Sequence, residues 1–385
     1  MDFTLADEQM ELRDTLRRFC QQECPPQRVR EWESTESFPR DVWQRLAVTG
    51  AQGLPLSGEY GGAGASVFEE ALVTQELAYW ANPLAVVYIT TVSFGGYTLD
   101  RFGSPEQKRE LIPRLAAGEL IMALALTEPE GGTDILRNLN TKAHRDGNRY
   151  LISGQKIFCT SADLADLLVV VARTRSDARP RDGISIFLVD PHSPGIEIQP
   201  QEKMGNRVPH SCTVYFSEVE VPCENLLGEE DEGWSHLVHT LNNERILIAA
   251  QCVGLGRAAL DYAVGYVKER HAFGRPIGQF QAVQHQLADA ATKLDLAELQ
   301  VQRASWLQSH ERDCARDAVM AKLYASEAAY EATYSAMQVM GGHGYVADHP
   351  VERLFRDARL FTLGPISNEM CRNQVAESLG LPRSY

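Results

Sequence analysis

Asn242-Asn243-Glu244-Arg245-Ile246-Leu247-Ile248-Ala249-Ala250 opens the stretch of this chain that decides its fold. Ile246, Ala249, Ala250, Val253, Leu260, Val264 and Val267 recur at helical spacing and define one apolar face of a long helix. Glu244 stands at the head of that face. A carboxylate placed there loses hydration, and desolvation raises its pKa. A weakly solvated carboxylate is the group needed to take a proton from carbon. The stretch alone equally fits a solvated or ion-paired glutamate near a helix start.

The same helical period fills both ends of the chain. Residues 1–120 read as a helical domain: Leu12, Leu16 and Phe19 share a face, and 68–79 and 105–117 repeat the pattern. Thr4-x-x-Asp7 is a weak capping signal for the first helix. The Gly- and Pro-rich stretch Leu54–Ala65 reads as a loop. Residues 121–228 change character. Short β-branched runs at 150–152, 167–171, 184–189 and 213–216 are separated by turn residues such as Arg145-Asp-Gly-Asn148 and Pro191–Gly195. This predicts a β domain, with 175–182 as a surface loop. From 229 to 385 the helical period returns, with long helices expected near 233–268, 277–310 and 312–341 and a shorter one near 367–379. Long helices with short connections suggest an antiparallel bundle. The fold class is therefore α+β and mainly α, in the order helical, β, helical.

The chain has 385 residues, 44% of them hydrophobic, enough for a large core. No apolar run approaches the ~20 residues that span a bilayer, so no membrane partner is expected. The N-terminus reads as a helix start rather than a secretion or transit signal. A formal charge of −15 with no basic stripe argues against nucleic acid. The eight cysteines are scattered, and only Cys20 and Cys24 are close. No Cys/His cluster forms a metal-ligand set, so no metal is expected. Buried thiols in a reducing cytoplasm are the expectation.

Two further stretches can carry chemistry. In Thr127-Glu-Pro-Glu-Gly-Gly-Thr-Asp134 the glycines allow close backbone approach and the hydroxyls can bond a phosphate or a ring edge, though an ordinary Gly-rich turn has the same composition. In Gly154-Gln-Lys-Ile-Phe-Cys-Thr160, Phe158 and Thr160 alternate from a strand and could meet a flat cofactor; Phe158 taken alone also fits a core position.

Together these pieces resemble the acyl-CoA dehydrogenase family of flavoproteins, in order and along essentially the whole chain. The further landmarks are Glu59-Tyr-Gly-Gly62, Arg101-Phe-Gly-Ser-Pro-Glu-Gln-Lys108, Leu126-Thr-Glu-Pro129, Tyr215–Pro222, Arg270–Gln281, Gln338-Val-Met-Gly-Gly342 and Arg356-Asp-Ala-Arg359. The resemblance implies an N-terminal helical domain, a middle β domain and a C-terminal four-helix bundle, with FAD between the last two. By motif match, Leu126 and Thr127 would meet the flavin from one side, Phe158 and Thr160 from the other. Thr133 would lie near both cofactor and acyl chain. Arg270, Phe273 and Gln281, with Gln338, Gly341 and Gly342, would reach the FAD of a neighbouring subunit, and Ser367 and Glu369 would approach the cofactor from the last helix. Shared sites of that kind imply a homo-oligomer, most often a tetramer.

Most family members are expected to carry the catalytic glutamate on the loop before the last helix. Here Pro365 stands at that position, and proline cannot accept a proton. A minority, including isovaleryl-type members, carries the base on the long helix in a Glu-Arg pair, which Glu244-Arg245 matches. The resemblance thus implies that Glu244 takes the α-proton of an acyl thioester while a β-hydride passes to the flavin, with an electron-transfer flavoprotein as acceptor. Arg245 would bond the pantetheine arm or nearby backbone. Pro365 also lacks the N–H expected to bond the thioester oxygen, a loss of ~3 kcal/mol if nothing replaces it. Ile366, in place of the usual glycine, would crowd the substrate. Acyl-CoA and acyl-carrier-protein thioesters both remain open as substrates; Glu369-Met-Cys-Arg372 resembles the carrier-protein type. A monooxygenase or desulfinase on the same fold, or a subunit of a heteromeric dehydrogenase, are the alternatives.

Overall fold

α1 (Asp7–Glu23) buries Leu16 and Cys20 and packs Leu12 and Phe19 beside them, following the periodicity. The computed structural model to which it belongs describes residues 4–176 and 179–383. The start of α1 departs from the expected Thr4/Asp7 cap. Ala6 holds the cap position, and its N–H donates to Gln9 Oε1 at 3.0 Å. α2 (Pro26–Thr35) and α3 (Arg40–Leu46) follow, and the Gly/Pro stretch runs as turns and short 3-10 pieces. α4 (Val67–Tyr88) begins at a Ser66/Glu69 capping box. It bends at Ala81 (φ −153°, ψ 82°), two residues before Pro83, because proline removes a helical donor and its ring clashes with the preceding turn. A π-helical segment, Ile89–Gly96, leads into α5 (Tyr97–Phe102) and α6 (Pro105–Ala116).

Seven strands then form one sheet: β1 (Met122–Ala125), β2 (Lys142–Asp146), β3 (Arg149–Thr160), β4 (Leu167–Arg173), β5 (Ile184–Val189), β6 (Ile196–Gln201) and β7 (Ser211–Pro222). Their order is β1-β4-β2-β3-β7-β6, with β5 paired to β4. The four expected runs lie in β3, β4, β5 and β7. β1, β2 and β6 carry no long β-branched run; cross-strand pairing, rather than intrinsic preference, makes them strands. β3 and β7 slip register between Lys156 and Cys159, and this bulge matters at the site.

The C-terminal region holds α7 (Gly233–Glu269), a hairpin of β8 (His271–Ala272) and β9 (Arg275–Pro276), α8 (Gln281–Ser309), α9 (Ala315–Met340), α10 (Gly342–Tyr345), α11 (Val351–Leu360) and α12 (Asn368–Ser378). α8 starts four residues later than expected, because Ile277–Gln279 forms a 3-10 turn. On α9, Ala318, Ala321, Ala325, Ala328, Ala329, Ala332 and Ala336 are all buried. Side chains this small let α9 lie close against α7. α4 crosses α7 closely as well, since a Cβ at Gly254 would collide with the Gln75 carbonyl. Two helical stretches, 67–102 and 233–269, are long and apolar enough to cross a membrane by length and composition. This qualifies the expectation drawn from uninterrupted runs, but 78% of each window is buried inside the fold.

One buried polar node ties the three regions together. Asp357 on α11 accepts from the Asn206 backbone N–H at 2.5 Å and from Asn82 Nδ2 on α4 at 3.3 Å. Asn206 lies on the β6–β7 connection, and Gln251 on α7 donates to Asn82 Oδ1 at 2.8 Å. All four residues are buried. Next to the node, a Cβ on Gly205 would sit 2.5 Å from the Arg356 carbonyl, so only glycine allows this approach. Asp357→Ala leaves the Asn206 N–H without its carboxylate acceptor inside the fold. Urea unfolding should show a loss of about 3 kcal/mol; a loss under ~0.5 kcal/mol would mean that the node does not hold the regions together.

Candidate active site

Glu244 lies on α7 three turns beyond its first residue, Gly233, so it is an interior helix position and not a helix start. Its neighbours are fixed by side-chain amides. Gln308 Nε2 on α8 donates to Asn243 Oδ1 at 2.9 Å, and Arg245 Nη1 donates to Asn242 Oδ1 at 3.1 Å. Glu244 itself is half-buried. Among the described residues no donor bonds its carboxylate. Although part of its surface stays accessible, desolvation dominates and pushes the carboxyl up to about 7, against the opposing pull of Arg245 and Lys322.

The contrast with other buried carboxylates is chemical. Glu128 accepts from Lys156 Nζ at 2.8 Å and from the Asn140 and Thr141 N–H groups at 2.7 and 2.9 Å. Its carboxyl is lowered: Lys156 and these N–H groups outweigh burial, the largest single influence and an opposing one. Glu70, also pushed up to about 7 by burial, accepts from Ser93 Oγ at 2.6 Å and is only 1% exposed. Among the described residues, Glu244 thus combines desolvation, no protein donor and an accessible surface.

Lys322 on α9 was not singled out from the sequence, yet it organises this end of the site. Its ammonium is fully buried. It donates to the Ile366 carbonyl and, at 2.9 Å, to Asn368 Oδ1. Ser326 Oγ also donates to Asn368 Oδ1, at 3.1 Å. These bonds hold the segment 364–368, in which the Gly364–Pro365 peptide is cis. Ser367 caps α12 by accepting from Met370 N–H at 3.2 Å. Glu369 is exposed and lies within electrostatic reach of Lys322. A signal existed: Lys322 falls at helical spacing among buried Ala318, Ala325 and Ala329, where a lysine needs partners.

A second group lies on the sheet. Lys156 Nζ, fully buried, donates to the Leu126 carbonyl at 2.9 Å, and the Ile157 N–H donates to the Thr127 carbonyl at 2.8 Å. The bulge of β3 is thereby clamped to the 126–128 segment, and Leu126, Thr127, Phe158 and Thr160 come together. Phe158 is 62% exposed with φ +55°. It is therefore neither a core residue nor a member of a regular alternating strand. Thr133 lies exposed in the turn that follows.

A third group is exposed at the far end of α7 and α9. Phe273, 95% exposed, sits in the turn of the β8–β9 hairpin, and Arg270 and Gln281 lie on either side of that hairpin in the chain. Gln338, Gly341 and Gly342 end α9, and the 5.7 Å ring contact of Tyr266 with His343 brings these two ends together.

Residues 6–119, 123–219 and 231–380 match the N-terminal, middle and C-terminal domains of acyl-CoA dehydrogenase. The chain belongs to the acyl-CoA dehydrogenase family. The probable acyl-CoA dehydrogenase YngJ of Bacillus subtilis is 37% identical over 380 residues, 98% of this chain and 100% of that one. Butyryl-CoA dehydrogenase from Megasphaera elsdenii superposes with a TM-score of 0.94 at 32% identity, covering 99% of this chain and 100% of that one. The prolyl acyl carrier protein oxidase AnaB superposes with a TM-score of 0.91 at 30% identity, covering 98% and 100%.

The sheet group fits the FAD of an acyl-CoA dehydrogenase. A large ring held outside the core on a left-handed backbone, beside two half-exposed threonines, offers an apolar face with hydrogen-bonding edges. Such a ring adds little to folding and much to a flat ligand. Phe158→Ala should change the unfolding free energy by less than ~0.5 kcal/mol. The same change should weaken FAD about fivefold, the scale of one ~1 kcal/mol aromatic contact. Undiminished FAD retention by fluorescence titration would remove Phe158 from the cofactor site.

Proposed function

We propose that this chain is an FAD-dependent acyl-thioester dehydrogenase in which Glu244 is the catalytic base. The reading rests above all on the state of Glu244: a desolvated carboxylate with no donor among the described residues, acted on by the lysine that holds the Pro365 loop. FAD is the cofactor, and when bound it supplies the hydride acceptor. Introducing a C=C bond removes one proton and one hydride from adjacent carbons. Glu244, ionised, takes the α-proton, and its desolvation raises the basicity available for that step.

The developing enolate oxygen needs donors, and Pro365 has none. Among the described residues the N–H groups of Ile366 and Ser367 donate to no protein acceptor, so they are the chain's own candidates for that role. Arg245, half-buried beside the base, fits contact with the carrier arm of the thioester. The exposed group at Arg270, Phe273, Gln281, Gln338, Gly341 and Gly342 supports a homotetramer in which those residues reach a neighbour's cofactor. An electron-transferring flavoprotein is the proposed acceptor; a chain 34% identical to this one was solved in work on the electron-transferring flavoprotein of Acidaminococcus fermentans. For the thioester, CoA is the first expectation from YngJ, and a carrier protein is the second from AnaB.

A panel of acyl-CoA and acyl-carrier-protein thioesters, tested for anaerobic flavin bleaching, decides the substrate. With the active thioester, Glu244→Gln should slow bleaching at least about a hundredfold. Because Glu244 must be ionised to act, the wild-type rate should fall as pH drops through about 7. Glu70→Gln should keep that acid limb, since Glu70 is sealed against Ser93. Wild-type bleaching by Glu244→Gln, or oxygen-dependent hydroxylation without thioester bleaching, would overturn the reading.

A further inference from the structure

The buried ammonium of Lys322 lies where two parts of the site meet. From α9 it donates to the Ile366 carbonyl and to Asn368 Oδ1. Asn368 is held in turn by Ser326 Oγ and donates to Glu327 Oε1 at 3.3 Å, and Glu327 pairs with Arg372 of α12 at 2.5 Å. Within the 364–368 segment, proline and isoleucine occupy adjacent positions. The segment's backbone is anchored at Ile366 by this one side chain, and α12 starts directly after it. On its other side Lys322 acts electrostatically on Glu244 of α7, the groups attracting each other.

A buried lysine is costly unless its donors are satisfied and an opposite charge is near. Here two carbonyl-type acceptors and two carboxylates, Glu244 and Glu369, oppose burial, which still holds the Lys322 ammonium below the usual lysine range. We propose that Lys322 is a positioning residue of the active site: its ammonium fixes the 364–368 segment against α9 and supplies the counter-charge to Glu244. The inference rests on the reading of Glu244 as the base.

The charged and titratable groups around the pair are few. Arg245 on α7 and Lys322 on α9 act on Glu244. Cys252 on α7, and Glu369 and Cys371 on α12, act on Lys322. Among the described residues, removing the positive charge at 322 leaves Arg245 as the remaining cation acting on Glu244. The protonated form of Glu244 then persists to higher pH.

The test is an infrared pH titration of the FAD-loaded full chain. The protonated-carboxyl band of Glu244 is assigned by its loss in Glu244→Gln. Lys322→Gln keeps a donor for Ile366 without the charge, and Lys322→Met is the second neutral variant should the amide prevent folding. Either should move the Glu244 midpoint upward by about one pH unit, and Lys322→Arg should keep it close to wild type. A merely structural lysine would lower the melting temperature and leave the midpoint in place; that result in a folded neutral variant overturns the proposal. Failure of the underlying reading looks different: Glu244→Gln would bleach its flavin at the wild-type rate, whatever the variants at 322 do.

Discussion

Taking an ionised group out of water inside packed helices and a sheet is the constraint on which this structure turns. The fold meets it in three ways. Lys156 and Glu128 meet it by pairing, with backbone donors and acceptors completing both groups. Asp357 meets it in part by accepting from Asn206 and Asn82, which makes it a joint between regions distant in sequence, although burial still raises its carboxyl to about 6. Among the described residues Glu244 has no hydrogen-bond donor, and burial raises its carboxyl to about 7. The first two solutions build the scaffold. The third leaves a carboxylate poised near neutral pH, the condition that the proposed proton transfer requires.

The paired charges also explain how the cofactor-facing surface is shaped. The Lys156 clamp and the Ile157–Thr127 backbone bond hold the 126–128 segment to the β3 bulge, and the bulge is what turns Phe158 outward. Lys322 does the corresponding work at the other end, where its bonds to Ile366 and Asn368 fix a segment that ends in the α12 cap. The loop that contains Pro365 is therefore tied to α9 at Ile366 and Asn368.

Much of this was legible in the sequence, for identifiable reasons. Helical periodicity marked α1, α4, α6, α7, α8 and α9, because a helix buried on one face must repeat its apolar residues. β-branched runs marked β3, β4, β5 and β7. Strands β1, β2 and β6 escaped because cross-strand partners impose their conformation, and α10 is too short to show a period; α11 does bury Val351, Leu354 and Ala358 at helical spacing, a signal that was missed. The position of Glu244 on an apolar helical face was visible, whereas its lack of a donor was not. The buried lysines were missed for a related reason. Spacing places Lys322 on the inner face of α9, but the acceptors that make it tolerable there, Ile366 and Asn368, lie more than forty residues away. A left-handed Phe158 on a bulge likewise follows from β7's register, which the local sequence does not encode.

The most direct measurement is α-proton exchange in deuterated water, using the FAD-loaded protein and an acyl thioester whose β-carbon is replaced by sulfur so that hydride cannot leave. The wild-type protein should exchange the α-proton, and Glu244→Gln should not. Exchange at an undiminished rate in Glu244→Gln would contradict the assignment of proton abstraction to this residue.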